Sequence, residues 1–231
     1  MLSMYADPYA TAIPGTVYGV VLNFRADLEG MAGQFGQPPY LAPPRAPVLY
    51  IKPANTWTAD GAAVALPAGA DGAAGVQVAA TLGLVIGTVA ARVSPDEALA
   101  HVHALRVVND LSLPHDSLYR PAIRQRCRDG FCPIGPAVPK AGLQAYLSGC
   151  RLRTFINGDL QHDWSMADLV RGPAQLLAAV SEFMTLWPGD VLTLGTPRAA
   201  PLARAGDRVR VEVAGVGSLD NVIAASPAVA A

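Results

Sequence analysis

The sequence predicts an α+β chain, mainly β and folded as one domain, and three observations predict it. Short runs of β-branched and apolar residues recur along its 231 residues and outnumber the stretches with helical spacing. The two kinds of segment do not alternate, which disfavours a Rossmann or TIM-barrel arrangement. No linker divides residues 16–224, so we expect a flexible leader at 1–15, one domain at 16–224 and a disordered tail at 225–231.

Val17–Leu22 reads as the first strand and delivers Asn23, Phe24 and Arg25 at its end. Residues 36–47 hold five prolines; each removes a backbone donor, so this stretch is an extended loop. Val48–Ile51 is a strand that delivers Lys52. Val76–Val78 and Leu82–Ile86 are strands, the second a continuous apolar run of the kind buried on both faces. Ser94, Pro95, Asp96 and Glu97 make a helix start, with a capping hydroxyl, a proline where no intrahelical donor is needed, and acids in the first turn. That helix fades near His101. Leu105–Val108 is a strand carrying Asn109 and Asp110 at its end. Apolar residues at 169, 170, 176, 177, 180, 183 and 184 recur at helical spacing, so Ser165–Leu186 is expected to hold the most regular helix, stopped by Pro188 and Gly189. Val191–Leu194 and Val209–Val213 close the chain as strands.

Composition narrows the function. Hydrophobic residues make up 52% and charged residues 15%, with a net charge of −1. That supplies ample core and no basic field for nucleic acid; a surface so poor in charge suggests an oligomer. Residues 72–91 carry no charge, but they are built from Ala, Gly, Val and Thr, with Gln77 among them. A buried strand pair explains them better than a membrane span. The N-terminus has neither the basic nor the apolar region of a signal peptide. Three cysteines form no CxxC pair, which points to reduced thiols in the cytoplasm. His101, His103 and His162 lack zinc-site spacing and read as ordinary histidines. Glycine-rich dinucleotide, Walker, nucleophile-elbow and zinc-protease motifs are absent from the sequence.

The most informative run is Tyr119–Pro136, which sets Arg120, Arg124, Arg126 and Arg128, with Asp129, ahead of a Cys-Pro-Ile-Gly-Pro turn. Guanidinium groups suit carboxylate and phosphate, so these residues could line a pocket for a small anion; a solvated basic loop is the alternative.

Several pieces in this order resemble the fumarylacetoacetate hydrolase superfamily from residue 17 to 223. They are Val21-Leu22-Asn23-Phe24-Arg25, Tyr50-Ile51-Lys52-Pro53, Leu84-Val85-Ile86-Gly87, Asn109-Asp110-Leu111-Ser112, Phe131-Cys132-Pro133-Ile134-Gly135-Pro136, Pro188-Gly189-Asp190, Gly195-Thr196-Pro197 and the closing run from Gly206-Asp207 to Asp220-Asn221. The run from Ser112 to Pro136 is most similar to the N-terminal half of the bifunctional isomerase/decarboxylase family of 4-hydroxyphenylacetate (homoprotocatechuate) degradation. The resemblance implies a mixed β-roll with few helices, and a subunit acting on 5-oxopent-3-ene-1,2,5-tricarboxylate and 2-hydroxyhepta-2,4-diene-1,7-dioate. It also implies partnership with a second copy or a paralogous subunit. Another hydrolase of small oxo acids from the superfamily is a further alternative.

Metal-dependent members carry a Glu-x-Glu and a later Asp that together hold a divalent cation. Here those positions fall at Ala79, Thr81 and Asp110, so only Asp110 is retained. The resemblance therefore implies no metal in this chain, with magnesium or a similar cation possible in a partner subunit. The superfamily's early histidine falls at Asp27, with Glu29 as a candidate partner. Lys52, Arg126 and Asp110 are the candidate catalytic residues; Arg120, Arg128, Thr196, Asn23 and Arg25 are candidate substrate ligands. Thr196 could equally be a turn residue, and Asp110 could cap a strand end or pair with an arginine. Asp129 is expected to orient a neighbouring arginine. Two functions remain open: a decarboxylase working without its own metal, and a non-catalytic partner of a metal-bearing sister.

Overall fold

The structure is a computed structural model and describes residues 15–139 and 149–225. The leader at 1–15 and the tail at 225–231 lie outside the described residues except for Gly15 and Ala225. Among the described residues strand accounts for 37% and helix for 20%, so the chain is α+β and mainly β. In chain order the strands are β1 (Val17–Val21), β2 (Val48–Lys52), β3 (Trp57–Thr58), β4 (Ala63–Ala65), β5 (Val76–Gln77), β6 (Ala80–Ile86), β7 (Val102–Asn109) and β8 (Cys132–Pro133). They continue with β9 (Val138–Pro139), β10 (Arg151–Ile156), β11 (Asp159–Ser165), β12 (Val191–Thr193), β13 (Leu202–Ala203), β14 (Arg208–Val213) and β15 (Gly217–Ala224). Helices are α1 (Arg25–Phe35), α2 (Ala70–Ala73), α3 (Pro95–Ala98), α4 (Ile123–Arg126) and α5 (Pro173–Ser181).

Two larger sheets organise these elements. One runs β2-β1-β12-β6-β7-β9 and the other β11-β10-β14-β15-β4; β13-β5 and β3-β8 form small pairs. Most neighbours are antiparallel, but β1–β12, β15–β4 and β3–β8 are parallel, so the sheets are mixed. The two larger sheets pack through β14 against β6 and β7. Leu82 and Leu84 meet a core that includes Val209, Val211 and Leu219, all fully buried. Burying each such side chain contributes about 1.5–3 kcal/mol. The sequence of β14 makes this possible: valines at 209, 211 and 213 point inward while Arg208 and Arg210 face out, the period-two pattern of a half-buried strand. Thr154 Oγ1 accepts from the Ala80 amide at 3.1 Å, joining the sheets through a buried polar contact.

Two sequence expectations change, and one helix appears where the sequence reading named no element. The uncharged run at 72–91 does form strands, but β5 and β6 do not pair with each other: β5 pairs with β13, and β6 lies between β12 and β7. Ser165–Leu186 is not one helix. Ser165 ends β11 and opens a 3-10 turn at Met166–Asp168, and α5 begins only at Pro173. Proline at the first helical position fixes that start, and the apolar residues at 169 and 170 belong to the segment before it; Val170 N–H donates to the Asn23 carbonyl at 2.8 Å. Leu176, Leu177 and Val180 do form the buried face of α5, which packs on α3. Finally, the chain after Asn23 turns into α1, where Met31 and Phe35, four residues apart, pack with Leu22.

Candidate active site

The site forms where the ends of β2 and β7 meet the segment Leu111–Phe131. In β2, Tyr50 and Lys52 are two residues apart and project to one face. Tyr50 lies opposite Gly19 of β1, and its ring occupies the space a Cβ at residue 19 would need. Asp110 follows β7, and its amide donates to the Ala79 carbonyl at 3.0 Å. Asn109 Oδ1 accepts from the Ala79 amide at 3.2 Å. Asp110 therefore leaves the strand end in a fixed direction, beside the start of β6.

Lys52 and Asp110 form a buried ion pair, Nζ to Oδ1 2.7 Å. The ammonium also donates to the carbonyls of Leu111, Phe131 and Arg126 at 2.6, 3.0 and 3.1 Å. Three carbonyls use all three of its protons. The sequence leads one to expect Lys52 against a substrate carboxylate; it is instead buried and saturated, bracing the turn that carries Arg126. The second Asp110 oxygen receives the Tyr50 hydroxyl and Arg126 Nη1 at 3.3 Å. Arg126 also stacks on the Tyr50 ring, 4.3 Å from its centroid. Burial alone would raise the Asp110 pKa, but Lys52 and Arg126 outweigh it, so the carboxyl lies below its usual range. Desolvation, followed by the Asp110 charge, pushes the Tyr50 phenol well up, so it stays a neutral donor.

Arg126 faces a narrow cleft lined also by Gln77, Ser112, Leu118, Thr196 and Arg198, with an enclosed volume of about 20 Å³, room for about one water. Thr196 reaches it because Gly195 turns the chain with φ +91, and a Cβ there would lie 2.5 Å from the Val20 carbonyl oxygen. Only glycine fits that turn without strain. Next to Ser112 of the cleft wall, His115 Nδ1 lies 3.0 Å from the Leu113 carbonyl and 3.3 Å from Ser112 Oγ. A carbonyl can only accept, which puts the proton on Nδ1. Desolvation and the charges of Arg126 and Arg198 lower the His115 pKa against the pull of Leu113 and Asp116, and the ring is neutral at pH 7.

The other expected residues lie elsewhere. Arg128 donates to Asp71 at 2.7 Å, as does Arg124, because both project from α4 and the turn after it toward α2. Arg120 is exposed. Asn23 is a structural clasp: its side chain donates to the Leu194 and Arg171 carbonyls and accepts from the Arg171 amide. Arg25 donates to the Ala167 carbonyl at 2.6 Å. Asp129 orients no arginine; it accepts from Asn55 Nδ2 at 2.7 Å. Asp27 accepts from the Arg198 amide at 3.2 Å, whereas Glu29 is exposed. Tyr50, His115 and Arg198 are site residues that the sequence reading passed over.

The model of the fumarylacetoacetate (FAA) hydrolase C-terminal family matches residues 16–224. The chain belongs to the fumarylacetoacetate hydrolase family. A 4-hydroxyphenylacetate degradation bifunctional isomerase/decarboxylase of Salmonella dublin is 42% identical over 211 residues, covering 91% of this chain and 47% of its own. A protein of that name from Escherichia coli is 42% identical over 209 residues, 90% of this chain and 47% of its own. The chain thus spans about half the length of these curated relatives. Among solved structures, a 5-carboxymethyl-2-hydroxymuconate delta-isomerase from Mycobacterium smegmatis matches with a TM-score of 0.77 at 28% identity, covering 92% of this chain and 80% of that one.

The metal that fumarylacetoacetate hydrolase family members can carry does not fit the donors present. Ala79 and Thr81 flank the start of β6 beside Asp110 and offer a methyl group and one hydroxyl, where magnesium favours carboxylates. Among the described residues, no three His, Cys, Asp or Glu side chains come together to hold an ion. Asp110 is already matched by an ammonium and a guanidinium.

Proposed function

We propose that this chain is one of two related parts of an isomerase/decarboxylase of 4-hydroxyphenylacetate degradation, and that it binds a small di- or tricarboxylate in the Arg126 cleft. The observation that carries the reading is Arg126 itself. Asp110, itself on the cleft wall, and the Tyr50 ring hold its guanidinium in place beside the cleft. The proposed substrate, 5-oxopent-3-ene-1,2,5-tricarboxylate, needs an electron sink to lose CO2. As the carbon–carbon bond to the departing carboxylate breaks, its electron pair passes through the ene to the oxo group. The enolate oxygen then takes a proton to give a 2-hydroxydiene. A preorganised cation in a desolvated cleft stabilises charge that develops in this way. Thr196 and Ser112 supply hydroxyl groups on the same wall. The chain works in this reading as a homo-oligomer or beside a paralogous subunit, in a reducing compartment such as the cytoplasm.

The Ala79 and Thr81 positions favour a second reading, in which the chain is a non-catalytic partner that completes a metal-bearing sister subunit. One assay separates the two: CO2 release from the oxo-tricarboxylate by the purified chain, with and without magnesium. Turnover independent of magnesium supports the first reading. Turnover only after the sister subunit is added supports the second, and turnover by the isolated chain that requires magnesium sinks both.

A further inference from the structure

We propose that Arg198 is a specificity-determining residue of the cleft, a second carboxylate anchor that works with Arg126 to select acids with a carboxylate at each end. The inference rests on the reading of the cleft given above and adds to it which substrates it admits.

Arg198 is built into the wall by its backbone. Its amide donates to both Asp27 carboxylate oxygens, 3.2 Å each, and its carbonyl accepts from Gln77 Nε2 at 3.2 Å. These bonds fix the chain and leave the side chain free to act. The guanidinium donates to the Asp116 carbonyl at 3.1 Å, a neutral acceptor that uses only part of its fork. No carboxylate of the described residues forms an ion pair with it. Arg126 and Arg198 thus line one cleft together with Asp110; Arg126 is ion-paired with Asp110, whereas Arg198 has no ion pair among the described residues and feels only the more distant charge of Asp27. The neutral His115 beside them adds no third cation.

A carboxylate offers the bidentate acceptor that the fork suits, and it is a stronger acceptor than a carbonyl. A ligand's distal carboxylate therefore displaces the Asp116 carbonyl. That bond ties Arg198 to the irregular segment bearing Leu118 on the cleft wall, so releasing it also lets the narrow cleft widen for a substrate larger than a water.

The test is calorimetric binding of heptanedioate and of heptanoate, probes of equal chain length that differ by one carboxylate, to wild type, Arg198→Gln and Arg126→Gln. Because the bonds that hold residue 198 are main-chain bonds, Arg198→Gln keeps them. It should lose roughly 10- to 100-fold in affinity for the dioate, the scale of one charge-assisted bond, with heptanoate unchanged. Arg198→Lys, which keeps the charge but not the fork, should recover part of the loss. If Arg198→Gln binds the dioate as wild type does, the anchor is overturned while the cleft stands. If wild type binds neither acid, both the anchor and the cleft reading fall.

Discussion

Arg124, Arg126 and Arg128 are spaced two apart on and just after the same short helix, yet they do different things. Arg124 and Arg128 reach outward to Asp71, and the Arg124 side chain is 74% exposed. Arg126 points inward to Asp110 and Tyr50, with 12% of its side chain exposed. In sequence the three form one basic run. In the structure Arg124 is solvated, Arg128 keeps 26% of its side chain exposed and Arg126 is desolvated, and the outer and inner cases differ in energy even though the residue type is the same. An exposed pair trades water for a partner at little net gain, while a buried charge depends on its partner to exist there at all.

The largest effect should come from the partner behind the inner arginine. Lys52→Met leaves the Asp110 carboxylate with Arg126 and Tyr50 alone and strips three carbonyls of their donor. Removing one member of a buried pair costs about 3–5 kcal/mol, which urea unfolding should report as a lower midpoint at constant slope. Adding Asp110→Asn to that variant should recover part of the loss, because the cost lies in the uncompensated charge. A midpoint unmoved by Lys52→Met would mean that the ammonium is not the brace for this turn.

Arg126→Ala should act mainly on ligand binding. It removes the cation facing the cleft, and affinity for a dicarboxylate analogue should weaken by about 1.5–3 kcal/mol. The sharper comparison is Arg128→Ala, which removes an arginine two residues away and should leave that affinity unchanged. Equal losses in both would make the run a single electrostatic patch and erase the distinction between inner and outer residues.

Acid should reveal the interior before the surface. Desolvation lowers the pKa of His115 and of His162, so below the ordinary histidine value of about 6.5 the unfolded chain takes up protons that the folded chain refuses. Between pH 8 and about pH 6.5 stability should thus be flat, and it should fall as the pH drops further. Asp110, whose folded pKa is lowered, adds a second loss only below the ordinary aspartate value of 3.8. Melting temperatures between pH 8 and pH 5 test the first window. Replacing both histidines with asparagine should flatten it, and a slope that survives the replacement would assign the window to other groups.

How much of this was legible depends on the range of the interaction. Strands Val48–Ile51 and Leu82–Ile86 announce themselves by local composition, and the structure extends them to Val48–Lys52 and Ala80–Ile86; the ordered motifs from Asn23 to Asn221 carried the fold. The β10–β11 hairpin was legible but passed over: Asn157 and Gly158 both take positive φ, the Asn-Gly signature of a tight hairpin turn. Tyr50 also had a signal, since its two-residue offset from Lys52 puts both on one strand face. Arg198 had none beyond its place after Gly195-Thr196-Pro197. What makes it face the cleft is the remote pair Asp27 and Gln77, brought there by α1 and β5. The same distance in sequence hid the fate of Lys52, whose four partners lie between residues 110 and 131.

The smallest expected effect belongs to the outer arginines and is the most demanding test of the comparison. Arg124 and Arg128 share one carboxylate, and bonding from Arg124 outweighs desolvation to lower the Asp71 pKa. The site is open to solvent, so counterions compete with both arginines. Asp71→Asn should therefore leave the melting temperature unchanged within error at physiological salt, with any shift appearing only at low ionic strength. A salt-independent drop would show that the outer pair is as structural as Lys52 and Asp110, because screening cannot reach a contact that water does not. Burial, and not the density of arginine in the sequence, is then what separates a site from a solvated loop, and this substitution measures that separation on its weaker side.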